Sequence, residues 1–269
     1  MKKIFLTITL MMSFAVAQAA DFKTGYAPVN GLKIYYEIHG TSNPNKTPLV
    51  LLHGGDPTIG TSFGKVVDEF AKDRQVIAFE QAGHGHTADR KIPFTFEASA
   101  DDAAALLKFL KIPQADFFGF SNGGSIAMQI GIRHPEITHK LVVASAMTKR
   151  EGMYPAFWES MEKASLDTMP AEFKEAYQKT APRPNLQSYF EKSVKRMLDF
   201  KDWPDQMVKS IQAPTLILIG DADIIRPEHA VEMFRTLPHA NLAILPGVNH
   251  MSMVDHWPVQ MIENFLDSK

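Results

Sequence analysis

Cysteine is absent from the 269-residue chain, so no disulfide can staple the fold and no lipid can be carried on a cysteine at a processing site. An excess of charge of one sign is absent too. The 28 basic and 30 acidic residues leave a net charge of −2, and nothing in that balance argues for nucleic acid or an anionic membrane surface as a partner. Internal repeats, low-complexity tracts and flexible linkers are missing. With 45% apolar and 22% charged residues, the chain is neither disordered nor fibrous, and it is long enough for one large core or one core with an insertion.

Long hydrophobic runs are scarce, and the one conspicuous example stands at the N-terminus. Lys2 and Lys3 precede an apolar stretch from Ile4 to Val16, and Ala17-Gln18-Ala19 supplies the small residues that a signal peptidase needs. As a helix, about 13 residues span roughly 20 Å, short of the ~30 Å hydrocarbon core. Residues 1–19 therefore read as a cleavable secretory signal and not as a membrane anchor. The expected location is beyond the inner membrane, in the periplasm.

In the mature chain, short apolar runs alternate with helical patterns. Leu49 to Leu52, Val76 to Phe79, Phe117 to Phe120, Leu141 to Ala144, Leu216 to Ile219 and Leu242 to Leu245 are continuous, as strands buried on both faces should be. Leu32 to Ile38 alternates and reads as an antiparallel lead-in at the edge. Helical patterns cover Phe63 to Phe70, Ala98 to Leu110, Asn122 to Arg133, His229 to Leu237 and Val259 to Leu266, with Pro227 suited to a first helical position. The expectation is an α/β fold with a mostly parallel twisted sheet and helices on both faces. The beat breaks after Ser145. Aromatics and methionines at helical spacing, such as Phe157, Met161 and Ala164, predict an inserted helical cap over 147–205, with the core formed by 20–146 and 206–269.

Within FFGFSNGGSI, Gly119-Phe120-Ser121-Asn122-Gly123 matches G-x-S-x-G directly after a strand pattern and before a helical one. Small flanking residues let strand and helix approach while the turn holds the hydroxyl clear of the backbone, at the positive end of a helix dipole. A serine becomes a useful nucleophile when a base takes its proton and a carboxylate orients that base. Asp223, in LILIGDADIIRP, and His250, in LPGVNHMSM, both stand just past apolar runs. All three therefore fall at the carboxyl edge of the predicted sheet, where open α/β sheets bind ligands. Asp221 competes for the acid role but stands closer to the strand; loop hydrogen bonding is its expected use. His134, His239 and His256 read as surface or core histidines.

LLHGGD, GFSNGG, GDAD and PGVNH together resemble the α/β-hydrolase superfamily over nearly the whole mature chain, from about Leu32 to Leu266. The resemblance implies an α/β-hydrolase fold with Ser121 as nucleophile, His250 as base and Asp223 as acid. It also implies an oxyanion hole made by the backbone N–H groups of Gly55 and Asn122, with His53 bracing the loop. No cofactor and no metal are implied, since acyl transfer by a triad needs neither. His84, His86 and Asp89 superficially suggest metal ligands, but a loop bracing the rim is the preferred reading. Relatives commonly have an aspartate, an arginine and a serine in this segment where Glu80, Ala82 and Thr87 stand here, so the arginine's role must be filled otherwise.

The cap contributes Met153, Tyr154, Phe157, Trp158, Met161, Tyr189, Phe190, Met197 and Trp203. Most are expected in the cap's own small core. Met147, Tyr154, Phe157 and Trp158 are the candidate pocket residues. The expected activity is hydrolysis of small carboxylic esters or lactones. A proline-iminopeptidase-like amide hydrolase is the alternative, with Glu151, Glu159 and Glu162 available for a free amine, although HGGDP departs from the HGGPG of those enzymes. A ligand receptor with little turnover is a third possibility. Substrate identity and oligomeric state are not encoded legibly.

Overall fold

The computed structural model describes residues 22–55 and 58–268; the secretory signal read over 1–19 lies outside the described residues. In chain order the elements are β1 (Lys23–Val29), β2 (Leu32–His39), β3 (Leu49–Leu52), α1 (Ile59–Phe63), α2 (Val67–Phe70), β4 (Val76–Phe79), α3 (Phe96–Leu110), β5 (Ala115–Phe120), α4 (Asn122–Arg133) and β6 (Thr138–Ala144). They continue with α5 (Pro155–Glu162), α6 (Ala171–Thr180), α7 (Leu186–Leu198), α8 (Asp205–Lys209), β7 (Thr215–Gly220), α9 (Pro227–Thr236), β8 (Ala240–Leu245) and α10 (Val259–Asp267). Among the described residues, eight strands form one sheet in the order β1-β2-β4-β3-β5-β6-β7-β8. The strands from β4 to β8 in that order run parallel, and β1 and β2 join antiparallel at one edge.

Cover on both faces explains the continuous apolar runs of β3 to β7; the run Leu242 to Leu245 is the exception, because β8 is the far edge strand, none of its residues is buried and Ile244 is 41% exposed. Val50, Leu52, Ile77, Phe117, Leu141 and Ile217 pack on one side with α3, α4 and α9. Their neighbours Leu49, Leu51, Val76, Phe118, Val142 and Leu216 pack on the other with α1, α2 and α10. Each such side chain removed from water contributes about 1.5–3 kcal/mol, which favours apolar residues in both registers.

Two elements differ from the sequence expectation. The edge strand β1 was not anticipated; Asn30 and Gly31, at φ of 47° and 76°, make the tight turn that pairs it with β2. The helix expected over 63–70 is two short helices: α1 ends at Gly64, whose N–H still donates to the Gly60 carbonyl oxygen, and the backbone leaves helical geometry at Val66 (φ −131°) before α2 begins. Between β6 and β7 the chain is helical, with α5, α6 and α7 above the carboxyl edge of the sheet and α8 packed on α4 and α9. Among the described residues no helix is long and apolar enough to cross a membrane.

Candidate active site

Ser121 occupies the turn from β5 into α4 with φ 53° and ψ −119°, a conformation that a side-chain-bearing residue rarely adopts. Two glycines make the turn possible. A Cβ on Gly119 would stand 2.0 Å from the Gly123 carbonyl oxygen, and one on Gly123 would stand 1.9 Å from the Leu52 carbonyl oxygen. Because the obstructing atoms are backbone, Gly123→Ala should lower unfolding stability by about 3 kcal/mol or more, read as a fall in the denaturant midpoint. An unchanged midpoint would mean that the close approach is not needed.

His250 follows β8 on a loop that turns at Gly247 (φ 71°). Its Nε2 lies 3.1 Å from Ser121 Oγ, and its Nδ1 lies 2.9 Å from Asp223 Oδ1. The ring rests against Phe120, with centroids 5.1 Å apart. Asp223 is buried beyond the end of β7. Burial alone would push its carboxyl up, but hydrogen bonds from His250, from the Ser145 hydroxyl (2.6 Å to Oδ2) and from the Ile225 N–H (3.1 Å to Oδ1) outweigh that and hold it below the usual carboxylate range. The group is therefore charged at neutral pH and faces the imidazole. Asp221 is exposed and accepts from the Gly247 N–H at 2.8 Å, a loop contact.

Gly55 and Asn122 line the same cavity as Ser121. A Cβ on Gly55 would come within 2.8 Å of Asn122 Nδ2, so the Asn122 side chain lies against the Gly55 backbone. Asn122 opens α4, where helical N–H groups lack intrahelical acceptors. His53 is buried. The Gln81 N–H donates to its Nε2 at 3.1 Å and its Nδ1 sits 2.9 Å from the Gly54 carbonyl oxygen, so both ring nitrogens are engaged in the loop.

His84, His86 and Asp89 diverge. His84 is buried among His53, Phe94 and Tyr189, and burial pushes its pKa well down. His86 pairs with Glu80 at 3.0 Å, and Asp89 takes Lys192 from α7 at 2.7 Å. The arginine missing from this segment has a counterpart from the cap: Arg196 of α7 donates to Gln81 Oε1 at 3.1 Å and lies 5.1 Å over the Phe94 ring. Burial brings its pKa down to about 10. Also from α7, the Tyr189 hydroxyl donates to the Gly55 carbonyl oxygen at 2.9 Å. Neither contact was legible beforehand, since nothing local in SYFEKSVKRM says which loop the helix meets.

A cavity of about 540 Å³ opens above Ser121 and His250. Phe157, Met161, Phe173, Phe190, Met197 and Met251 supply much of its wall, and none of the described lining residues is charged. Of the four residues singled out in the sequence, Phe157 lines it, Met147 lines a smaller space that shares Ser121 and His250 with it, and two are corrected. Tyr154 caps α5 with its side chain 43% exposed. Trp158 turns away to donate to the Arg150 carbonyl oxygen and to stack under the Arg150 guanidinium, 3.8 Å from the ring centroid. Met147 is buried in the main core. Conversely, Met153, Met161, Tyr189, Phe190 and Met197 line this cavity; Tyr189 also stacks on Tyr177 in a small separate core with Phe94, Met169 and Leu186, whereas Trp203 packs with Phe96 and Phe200. The exposed Glu151, Glu159 and Glu162 are not among the residues lining it.

The sequence profile of the Alpha/beta hydrolase family matches residues 49–263. The chain belongs to that family. The hydrolase is 26% identical over 254 residues to the serine hydrolase BPHL of Homo sapiens, with 88% of this chain and 83% of that protein covered. It is 25% identical over 270 residues to a proline iminopeptidase of Lactiplantibacillus plantarum, covering 85% of this chain and 94% of the relative. Among solved structures, the enol-lactonase from Burkholderia xenovorans LB400 superposes with a TM-score of 0.71 at 22% identity, covering 90% of this chain and all (100%) of that one. That likeness is one of fold.

Proposed function

We propose that this hydrolase cleaves small, uncharged carboxylic esters or lactones through an acyl-enzyme on Ser121. The observation that carries the proposal is the unbroken hydrogen-bonded line from Asp223 through His250 to Ser121, opening onto a cavity with no charge among its described lining residues. In the first half-reaction Ser121 Oγ attacks the carbonyl carbon while His250 Nε2 takes its proton. Asp223 keeps the proton of the resting imidazole on Nδ1 and faces the imidazolium that forms. The N–H groups of Gly55 and Asn122 are the proposed donors to the developing oxyanion. The imidazolium then protonates the leaving alcohol, and water repeats the sequence on the acyl-enzyme.

The absence of charge among the described lining residues also favours ester over iminopeptide chemistry. An ammonium group brought into such a cavity loses hydration without gaining a counter-charge. With purified protein, kcat/KM for p-nitrophenyl butyrate should exceed that for proline p-nitroanilide by at least about 100-fold; the opposite order would favour the iminopeptidase reading. Tyr189 enters as a positioning residue for the Gly55 peptide. Tyr189→Phe should lower kcat about tenfold with KM within about twofold, less than outright loss of an oxyanion donor. A rise in KM at constant kcat would instead assign Tyr189 to binding. Export is proposed from the leader-like first 19 residues. Periplasmic fractionation with a mature chain starting at Ala20 is the expected result, and an intact Met1 in the cytoplasm would overturn it.

A further inference from the structure

Beside the large cavity lies a second, much smaller space of about 20 Å³. Ser121, Asn122, Met153, Met197 and His250 line both, so these side chains form the partition between them. Ser125, Ser145, Ala146, Met147 and Ile225 complete the small chamber. A space of about 10–15 Å³ holds one water, which also needs two to four polar partners. The chamber meets both requirements. Ser145 donates its proton to Asp223 Oδ2 at 2.6 Å and keeps hydroxyl lone pairs as acceptors. Ser125 has only a long 3.4 Å contact to the Met147 carbonyl oxygen, and the His250 imidazole and the Asn122 amide stand on the partition. Ser145 is itself held at φ 51°, a second strained serine at this edge of the sheet.

The geometry points to this chamber as the site of the water that resolves the acyl-enzyme, and to its size as the reason that water, not an alcohol, is the second acyl acceptor. The inference rests on the serine-hydrolase function proposed above. When the apolar acyl chain fills the large cavity, access from that side closes, and a water held on the partition is next to both His250 and the acyl carbon. Its oxygen bonds to that carbon as its proton passes to His250 Nε2. The tetrahedral intermediate then breaks the carbon–Oγ bond, the His250 proton returns to Ser121, and a carboxylic acid leaves. Ethanol has three heavy atoms and does not fit a space of one.

Ser125→Thr adds a methyl group to the chamber wall without removing the hydroxyl. With p-nitrophenyl butyrate, whose good leaving group makes acylation fast, the burst of nitrophenol should persist while kcat and KM fall together about tenfold and kcat/KM stays within about twofold. A merely structural effect would lower kcat/KM. The reverse change, Met147→Ala, enlarges the chamber, and in dilute ethanol the ratio of ethyl butyrate to butyric acid should rise about tenfold over wild type. Unaltered deacylation in Ser125→Thr, or an unaltered product ratio in a folded Met147→Ala protein, would overturn the chamber's role while leaving the triad intact. Absence of any acyl-enzyme in the wild-type protein would overturn both.

Discussion

Ser121→Ala should reduce ester turnover on the order of 10⁶-fold, the loss that follows when the nucleophile of a serine–histidine pair is removed. Ser121 Oγ is the group that His250 Nε2 faces, at 3.1 Å, and among the described residues no second hydroxyl is hydrogen-bonded to that nitrogen. Alanine meets the same backbone angles as serine, so the strain at φ 53° is unchanged and the fold should persist with little change in melting temperature. Covalent labelling by a fluorophosphonate should vanish with activity. A labelled alanine variant would move the nucleophile elsewhere.

Asp223→Asn should lower kcat on the order of 10⁴-fold. Three donors converge on the carboxylate: His250 Nδ1–H and the Ile225 N–H on Oδ1, and the Ser145 hydroxyl on Oδ2. An amide has the same shape but offers one acceptor oxygen in place of two. It also removes the negative charge that faces the imidazolium in the transition state. Asp221→Asn provides the contrast. Its contact is with the Gly247 N–H, for which an amide oxygen is an adequate acceptor, so kcat should stay within about threefold. If Asp221→Asn were severe and Asp223→Asn mild, the acid would have been misassigned.

The sheet was legible because burial on both faces leaves a trace in β3 to β7, four or more apolar residues in succession ending at one edge; β8 carries the same kind of run although it is an edge strand with no buried residue. The three proposed catalytic residues were legible because each follows such a run. Edge structure was harder to read. In β1, KTGYAPV buries only Ala27 and Val29 and carries Pro28, so apolar pattern alone misses it. The Asn30-Gly31 pair was the overlooked hairpin signal. The cap shows where a pattern was present and underused. Phe157, Met161 and Ala164, at i, i+4 and i+7, all line the cavity, whereas Trp158 lies about 100° further round α5 and Tyr154 precedes the helix. The spacing named the correct stripe; aromatic content pulled two residues off it. Tyr189 and Arg196 left no such trace, because their partners on the loops after β3 and β4 are chosen by how α7 docks.

Rapid-quench mass spectrometry of the protein mixed with p-nitrophenyl butyrate examines the proposed acyl transfer most directly. A butyryl group on the peptide carrying Ser121, formed before steady state and lost as product accumulates, is the result the proposed mechanism predicts. Turnover with no acylated peptide, or acylation at any other residue, would contradict it.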